Sequence, residues 1–271
     1  MNIKYHSGLL VAFILLSTAI YGLLGPGTQK TLGIERNTVA ELSNWSYEAD
    51  NGPNEWASID SKFSKCELGM EQSPIDIGQV NRRLDNSNDF EMKYKPTTFT
   101  LNNNGHTIQA KDSSGDNFLV IGGDAYKLVQ MHFHNPSEHQ INGQSFDMEG
   151  HLVHTNGEGK LAILGFLIRE GSENIVLTEL WSKLPQKTNS QEVPLSNSVD
   201  LANLFPEKKN VFQYEGSLTT PPCSEEVTWI ILEQPIEISA LQIATFEAVF
   251  PNNSRPVQLL NDREVIEMQL Q

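Results

Sequence analysis

Short apolar stretches separated by turn-forming residues run along most of the chain after residue 45. Several of them alternate between apolar and polar positions, which is the period of a half-buried β-strand, and Gly, Asn and Pro stand between them. Regular short strands of this kind indicate a large antiparallel or mixed sheet. The pattern predicts strands over residues 98–101, 106–110, 118–121, 127–134, 151–154, 161–168, 211–214 and 227–232.

Helical patterns are fewer and shorter than the strand patterns. Ser172 is placed to cap a helix that continues to Leu184 and ends before Pro185. Two further helices are predicted over residues 197–204 and 239–250, each followed by a proline. No repeat, low-complexity block or linker interrupts residues 45–271, so we expect one mixed α/β domain dominated by strands, with short helices at its periphery.

Composition and charge narrow the class of partner. The chain has 271 residues, and a hydrophobic content of 38% is enough for a substantial core. It carries 34 acidic and 19 basic residues, which gives a net charge of −15. A strongly acidic protein is repelled by phosphate backbones and anionic lipids, so we expect neither nucleic acid nor a membrane surface as a partner. A homodimer is left open.

The amino-terminal segment has the layout of a secretory signal peptide. Residues 1–6 carry a positive charge, Leu9–Leu16 are apolar, and Ser17-Thr-Ala19 supply small residues for cleavage. We therefore predict a signal peptide over residues 1–24, followed by a linker over residues 25–44. An uncleaved membrane anchor is the alternative. The expected location is the periplasm or the exterior of the cell.

Export changes how the two cysteines are interpreted. Cys66 and Cys223 are 157 positions apart, and an oxidising compartment favours a disulfide between them. Two unrelated buried thiols are the alternative that the sequence leaves open.

Three histidines stand where neighbouring strands would bring them together. His132 and His134 are two apart on one predicted strand, so both side chains point to one face. His151 opens the next predicted strand, whose alternation turns His154 to the opposite face. Three neutral imidazoles suit a catalytic zinc ion with its fourth position left to water. Histidines are also ordinary strand residues, so the spacing alone leaves the metal site as one of two interpretations.

Polar residues near the histidines strengthen the hypothesis of a metal site. Gln130 and Glu149 each precede a histidine by two positions, where each can accept the N–H of that imidazole. The segment Ser217-Leu-Thr-Thr-Pro-Pro222 suggests a rigid loop that presents Thr219. Residues 102–105 form a predicted turn that delivers His106, and an imidazole exchanges protons readily near neutral pH.

With these segments in place, the chain resembles the α-class carbonic anhydrases from residue 45 to about residue 265. The matching segments occur in the order of that family, and as an ordered set they are highly specific. They are Trp45-Ser-Tyr47, Gln72-Ser-Pro-Ile-Asp76, Asn104-Gly-His106, Gln130-Met-His-Phe-His134, Ser137-Glu-His139, Glu149-Gly-His-Leu-Val-His154, Leu161-Ala-Ile-Leu-Gly165, Leu218-Thr-Thr-Pro-Pro222, Val227-Thr-Trp229 and Asn253-Ser-Arg-Pro256.

The resemblance implies a fold and a reaction. The implied fold is a central, twisted, mostly antiparallel sheet of about ten strands, which makes residues 45–271 the catalytic domain. The implied reaction is the reversible hydration of carbon dioxide to bicarbonate and a proton by a zinc hydroxide. The family pattern places Zn²⁺ on His132, His134 and His151. It also implies that Thr219 accepts a hydrogen bond from the hydroxide and passes its own proton toward Glu138.

The resemblance implies roles for further residues. His106 matches the proton shuttle of the family, Thr220 would line the bicarbonate position, and Tyr47 and Asn104 would order water in the cavity. The partners that hold the three histidines would be Gln130, Glu149 and the backbone of Asn253. The apolar wall beside carbon dioxide would consist of Val153, Ile163, Leu218, Val227 and Trp229. Exported bacterial members also carry a disulfide at the places of Cys66 and Cys223.

Some positions depart from the animal members of the family. Asn135-Pro136 stands where many of them have Trp-Gly, Thr155 replaces a tryptophan, and Gln109 replaces an asparagine. The resemblance places these changes at the cavity rim, and none of them removes a zinc ligand, Thr219, Glu138 or His106.

Two other functions fit parts of the pattern. His132-x-His-x3-Glu138 resembles the start of a cupin motif, which binds iron or manganese, although the flanking glycines of that motif are missing. A carbonic-anhydrase-like binding module without activity is the second alternative. Such modules typically lack some of the ligands, whereas this chain has all three histidines.

Overall fold

The computed structural model describes residues 45–78, 82–85, 90–188, 191–206 and 209–270. All of these residues belong to one unit, Leu42–Gln271. The predicted signal peptide and linker, residues 1–24 and 25–44, lie outside the described residues. Among the helices that the structure describes, none is long and apolar enough to cross a membrane.

Strands dominate the described part of the chain. Twelve of them form a single sheet. In chain order they are β1 (Arg82–Asp85), β2 (Phe90–Lys93), β3 (Phe99–Asn103), β4 (Ile108–Asp112), β5 (Phe118–Ile121), β6 (Asp124–His134), β7 (Met148–Thr155), β8 (Leu161–Glu170), β9 (Val193–Pro194), β10 (Lys209–Ser217), β11 (Glu225–Ile238) and β12 (Val265–Leu270).

The strand order of the sheet is β1-β12-β10-β11-β8-β7-β6-β4-β3-β9, with β5 paired to β6 and β2 paired to β5. Two pairs, β1 with β12 and β8 with β11, run parallel. The other pairs are antiparallel. The prediction of a large, mostly antiparallel sheet is therefore confirmed, and its eight predicted strands all form.

The helices are short; two precede β1 and two lie between later strands. The α-helices are α1 (Trp56–Ile59), α2 (Lys65–Leu68), α3 (Thr178–Ser182) and α4 (Ala240–Glu247). Single 3₁₀ turns cover Ala49–Asn51, Ser61–Phe63, Ile175–Leu177 and Leu201–Leu204.

Two of the three predicted helices differ from the structure. Helix α4 begins where the sequence predicted, because the Ser239 side chain accepts from the backbone of Gln242 in a capping box. Ser172 caps no helix. Its backbone N–H donates to Glu237 of β11, and the cap is Asn174, whose side chain accepts from Val176 at the start of a 3₁₀ turn. The helix predicted over residues 197–204 is only the turn Leu201–Leu204.

The two faces of β6 and β7 have different surroundings. Met131, Phe133 and Leu152 point into the largest apolar cluster and are fully buried. The residues between them along each strand point to the opposite face, because side chains alternate along a strand. His132 and His151 therefore lie on the face away from the main core.

Cys66 and Cys223 form the predicted disulfide, so the alternative of two separate thiols is wrong. The bond joins α2 to the loop between β10 and β11. Its cysteines pack with Trp56 in a small separate cluster. A disulfide of this kind is typical of proteins in oxidising compartments.

Candidate metal centre

The pairing of β6 with β7 assembles the histidines. His132 lies directly opposite His151, and His134 lies opposite Glu149. Cross-strand neighbours share a face of the sheet, so the three imidazoles converge. Their ring centroids are 4.7 to 5.0 Å apart. His154 points to the other face, where its Nε2 lies 3.0 Å from the Tyr94 hydroxyl.

Each imidazole uses one nitrogen for a fixed partner. His132 Nδ1 lies 2.9 Å from Gln130 Oε1, and His151 Nε2 lies 2.7 Å from Glu149 Oε1. His134 Nδ1 lies 2.7 Å from the carbonyl oxygen of Asn253. All three partners are hydrogen-bond acceptors, so these nitrogens carry the protons of the neutral imidazoles.

The remaining nitrogens face one another without protons. His151 Nδ1 and His132 Nε2 are 3.2 Å apart, and His134 Nε2 is buried with no hydrogen-bond partner in the described structure. The candidate ligand atoms of the three residues all lie within 4.8 Å of one another. Three lone pairs that converge in this way repel one another unless a cation lies between them, so the residues fit a metal ion.

Electrostatics keep the three imidazoles in the neutral form that binds metals. Burial lowers the pKa of His134 to about 4 and lowers the pKa of His151 as well. Burial also lowers the pKa of His132 well below its ordinary value, and the neighbouring histidines act in the same direction. The three imidazoles therefore need not release protons before they bind a metal at neutral pH.

A second cluster, His139 with Glu149 and His151, has the composition of a metal site but a different role. Glu149 Oε1 lies 2.7 Å from His139 Nδ1 and 2.7 Å from His151 Nε2. Burial alone would raise the pKa of Glu149, but the two histidines lower it well below the ordinary value. A carboxylate that accepts two imidazole protons holds those rings in place and has no need of a metal.

Glu138 lies beside the histidines and is fully buried. Its Oε1 accepts a hydrogen bond of 2.9 Å from the backbone N–H of Arg255. Burial raises the pKa of Glu138 to about 7, while the neighbouring His151 and the hydrogen bond from the Arg255 backbone act against this rise. The other oxygen of this carboxylate, Oε2, is buried and has no hydrogen-bond partner among the described residues, so the bond from the Thr219 hydroxyl stays a prediction.

Arg255 lies in the segment Asn253-Ser-Arg-Pro256, in which the resemblance implied a role for Asn253 alone. Its buried guanidinium donates to the side chain of Gln72 and to the carbonyl oxygens of Ser73 and Cys66. The same residue that supports Glu138 is therefore tied to the disulfide through Cys66. No local pattern marks this role, because its partners are more than 180 positions away along the chain.

His106 stands in the turn between β3 and β4. Asn104 Oδ1 accepts from the backbone N–H groups of His106 and Thr107, and Gly105 has a φ of 89°, which glycine adopts without strain. The predicted strand therefore begins at Ile108 rather than at His106. Burial lowers the pKa of the half-buried His106 imidazole, whose ring stacks on Trp45 with the centroids 3.6 Å apart.

Asn253 connects the turn to the histidines. Its side-chain amide donates to the carbonyl oxygens of His106 and Phe133, and its own carbonyl faces His134 Nδ1. One residue thus fixes a predicted ligand and the backbone of the predicted shuttle.

An apolar row continues from His151 across three strands. Val153 pairs with Ile163, and Ile163 pairs with Trp229. Ile163, Val227 and Trp229 are buried in the second apolar cluster, and Val153 and Leu218 pack against it. The five residues that were predicted to form the carbon dioxide wall therefore lie together. Of the other predicted residues, Thr220 is partly exposed and Tyr47 packs edge-on against Trp56.

Comparison with known proteins identifies the family. A family model described as eukaryotic-type carbonic anhydrase matches residues 51–269. The chain belongs to the α-carbonic anhydrase family. It is an enzyme, and its reaction is the reversible hydration of carbon dioxide to bicarbonate. The cupin and binding-module alternatives are not favoured.

Bacterial carbonic anhydrases match along nearly their whole length. The carbonic anhydrase of Nostoc sp. is 38% identical over 251 residues, which are 92% of this chain and 95% of that protein. That of Klebsiella pneumoniae is 40% identical over 228 residues, which are 83% of this chain and 91% of that protein. The structure of the Thermovibrio ammonificans α-carbonic anhydrase with the inhibitor sulfanilamide has a TM-score of 0.79 at 36% identity, and the match covers 83% of this chain and 99% of that one.

Proposed function

We propose that His132, His134 and His151 hold the Zn²⁺ ion of this carbonic anhydrase. The observation that carries the proposal is the convergence of three imidazole nitrogens that have no proton, each backed by an acceptor on the other nitrogen. Nitrogen donors of this kind suit zinc better than the hard cations Ca²⁺ and Mg²⁺, which prefer oxygen ligands. Three ligands also leave one position open, as catalytic zinc sites require.

When bound, zinc lowers the pKa of a coordinated water to about 7, the value established for carbonic anhydrase itself. Thr219 and Glu138 orient that water. In the proposed site the Glu138 carboxylate would accept the hydroxyl proton of Thr219, which would leave the Thr219 oxygen to accept a hydrogen bond from the water. Arg255 and the buried surroundings hold the carboxylate in this position.

The apolar row beside His151 receives the substrate. Carbon dioxide has no charge, and Val153, Ile163 and Trp229 offer it a surface from which water is excluded. In the proposed mechanism Thr220 contacts bicarbonate, and Tyr47 and Asn104 order water between the site and His106.

The decisive experiment measures metal content and activity on the same preparation. We expect one zinc per chain by mass spectrometry and rapid carbon dioxide hydration by stopped-flow, both lost after treatment with dipicolinate and both restored by zinc. Zinc without hydration would favour a binding module. Iron or manganese in place of zinc would contradict the proposed metal.

His106 carries the product proton to buffer. We expect His106→Ala to slow hydration in dilute buffer by roughly 10²-fold, within the range typical of lost proton transfer, while zinc content stays the same. Concentrated imidazole buffer should restore most of the rate, because a small base then replaces the side chain. Stopped-flow assays across a series of buffer concentrations measure this, and equal rates for both proteins in dilute buffer would refute the shuttle.

The protein is exported, and residues 45–271 form its catalytic domain. The supporting features are the Cys66–Cys223 disulfide and the signal-like residues 1–24. Fractionation of bacteria that express the full chain tests the location, since recovery of the protein in the cytoplasm would contradict a periplasmic or secreted enzyme.

A further inference from the structure

A buried hydrogen-bond chain leads away from the metal centre on the far side of Glu149. Its first members are His151 and His139, which share one carboxylate oxygen of Glu149. The other oxygen accepts from the backbone N–H groups of Glu138 and His139, at 2.9 and 2.8 Å. The carboxylate thus has four donors, and the His139 ring is the one side chain among them that is not a proposed ligand.

The next member is Tyr214, whose hydroxyl lies 2.7 Å from His139 Nε2. His139 donates its Nδ1 proton to Glu149, which leaves Nε2 as the accepting nitrogen of the ring. The Tyr214 hydroxyl must then donate to His139. Its oxygen is left to accept from the Ser73 hydroxyl, which is 2.8 Å away. Each link therefore has one direction, from Ser73 toward Glu149.

The chain ends at the loop that carries Thr219. Ser73 Oγ accepts from the backbone N–H of Ser217, and the Ser217 hydroxyl accepts from the backbone N–H of Ser73. Ser73, Ser217 and Tyr214 are all buried, so water does not compete for these bonds. Ser217 is two residues before Thr219. One continuous chain thus connects a proposed ligand to the loop that orients the water.

We propose that Tyr214 is a positioning residue for the metal centre, which acts through His139 and Glu149 on the orientation of His151. The inference rests on the proposed zinc site. The Tyr214 hydroxyl holds His139 in the form whose Nδ1 proton faces Glu149. Without that hydroxyl, His139 Nε2 is a buried acceptor with no donor, and a ring that turns or changes tautomer withdraws the Nδ1 proton from Glu149. Glu149 then holds His151 less firmly.

The molecule contains a matched control for this inference. Tyr94 is partly buried, and its hydroxyl lies 3.0 Å from Nε2 of His154 on the opposite face of β7. Tyr94→Phe removes a tyrosine–histidine hydrogen bond just as Tyr214→Phe does. Only the hydrogen bond of Tyr214 leads to a proposed ligand. General destabilisation would therefore lower the zinc affinity of both variants, whereas a positioning effect would lower it in Tyr214→Phe alone.

The test compares Tyr214→Phe, Tyr94→Phe and the unmodified full chain. Zinc affinity is measured on the metal-free proteins by competition with a fluorescent chelator. We expect Tyr214→Phe to raise the Kd for zinc about tenfold, the lower end of the range for groups that hold ligands, and Tyr94→Phe to leave it unchanged. With ¹⁵N-labelled histidine, the imidazole N–H resonances of His139 and His151 should shift in Tyr214→Phe alone.

Equal zinc affinity in Tyr214→Phe and the unmodified chain overturns the inference, as does an equal loss in both tyrosine variants. Failure of the unmodified chain to bind zinc would instead overturn the proposed function, so the two failures are distinguishable. If Tyr214→Phe does not fold, Ser73→Ala takes its place under the same criteria, because it removes the donor to Tyr214 and leaves the aromatic ring packed. We expect it to shift the same resonances with a smaller rise in Kd.

Discussion

Replacing His151 by alanine is expected to abolish zinc binding and carbon dioxide hydration, whereas replacing His154 by alanine leaves both in place. The two residues are on one strand, but alternation points His151 toward the converging imidazoles and His154 toward Tyr94. Loss of an outer partner of a metal ligand costs about 10- to 100-fold in affinity, and loss of the ligand itself should exceed that.

Zinc stoichiometry and stopped-flow hydration on both variants measure this effect. His154→Ala also serves as the control for folding, because it removes a partly buried hydrogen bond from the same strand and costs stability on the order of 1 to 3 kcal/mol. A His151→Ala protein that retains tightly bound zinc would show that the ligand set is wrong. If His154→Ala also lost zinc, any disturbance of β7 would be enough to empty the site, and the direction of the side chain would not be what decides zinc binding.

The second large effect is expected on removal of the disulfide. Cys66→Ser with Cys223→Ser should lower the free energy of unfolding by about 5 kcal/mol, the chain-entropy value for a loop of 157 residues. The activity of the folded protein should fall as well. Cys223 donates its backbone N–H to Thr220, and its carbonyl accepts from Gln72, so the bond anchors the loop that carries Thr219.

Equilibrium urea unfolding followed by fluorescence measures the change in stability, and hydration assays in the absence of urea measure the change in activity. The control is the unmodified chain with and without a phosphine reductant that does not bind zinc. Reductant should destabilise the unmodified chain and leave the double variant unchanged. Identical unfolding midpoints for oxidised and reduced protein would contradict the effect.

Local pattern was enough to predict the strands that carry the site. The alternation in residues 127–134 and 151–154 placed His132, His134 and His151 on one face, and the pairing of β6 with β7 has that arrangement. The reason is that side-chain direction along a strand depends only on whether positions are odd or even. Partners two positions away, such as Gln130, follow from the same rule.

Helix starts and short strands, whose sequence signals have no period, were predicted less well. Ser239 begins a helix as expected, but Ser172 does not, since residues near it pair with the end of β11 instead. The strands β1, β2, β9 and β12 were not predicted. β1, β2 and β9 are short strands at edges of the sheet, and β12 lies between β1 and β10, so pairing partners rather than their own sequences make them strands.

The sequence by itself determined the face of each histidine, the family and therefore the reaction. Only the tertiary structure decided how residues distant along the chain reach those histidines. Asn253 reaches His134 across 119 positions, and Tyr214 reaches His139 across 75. Hydrogen bonds between distant segments depend on where the sheet brings those segments together, and no local period of a single chain encodes that distance.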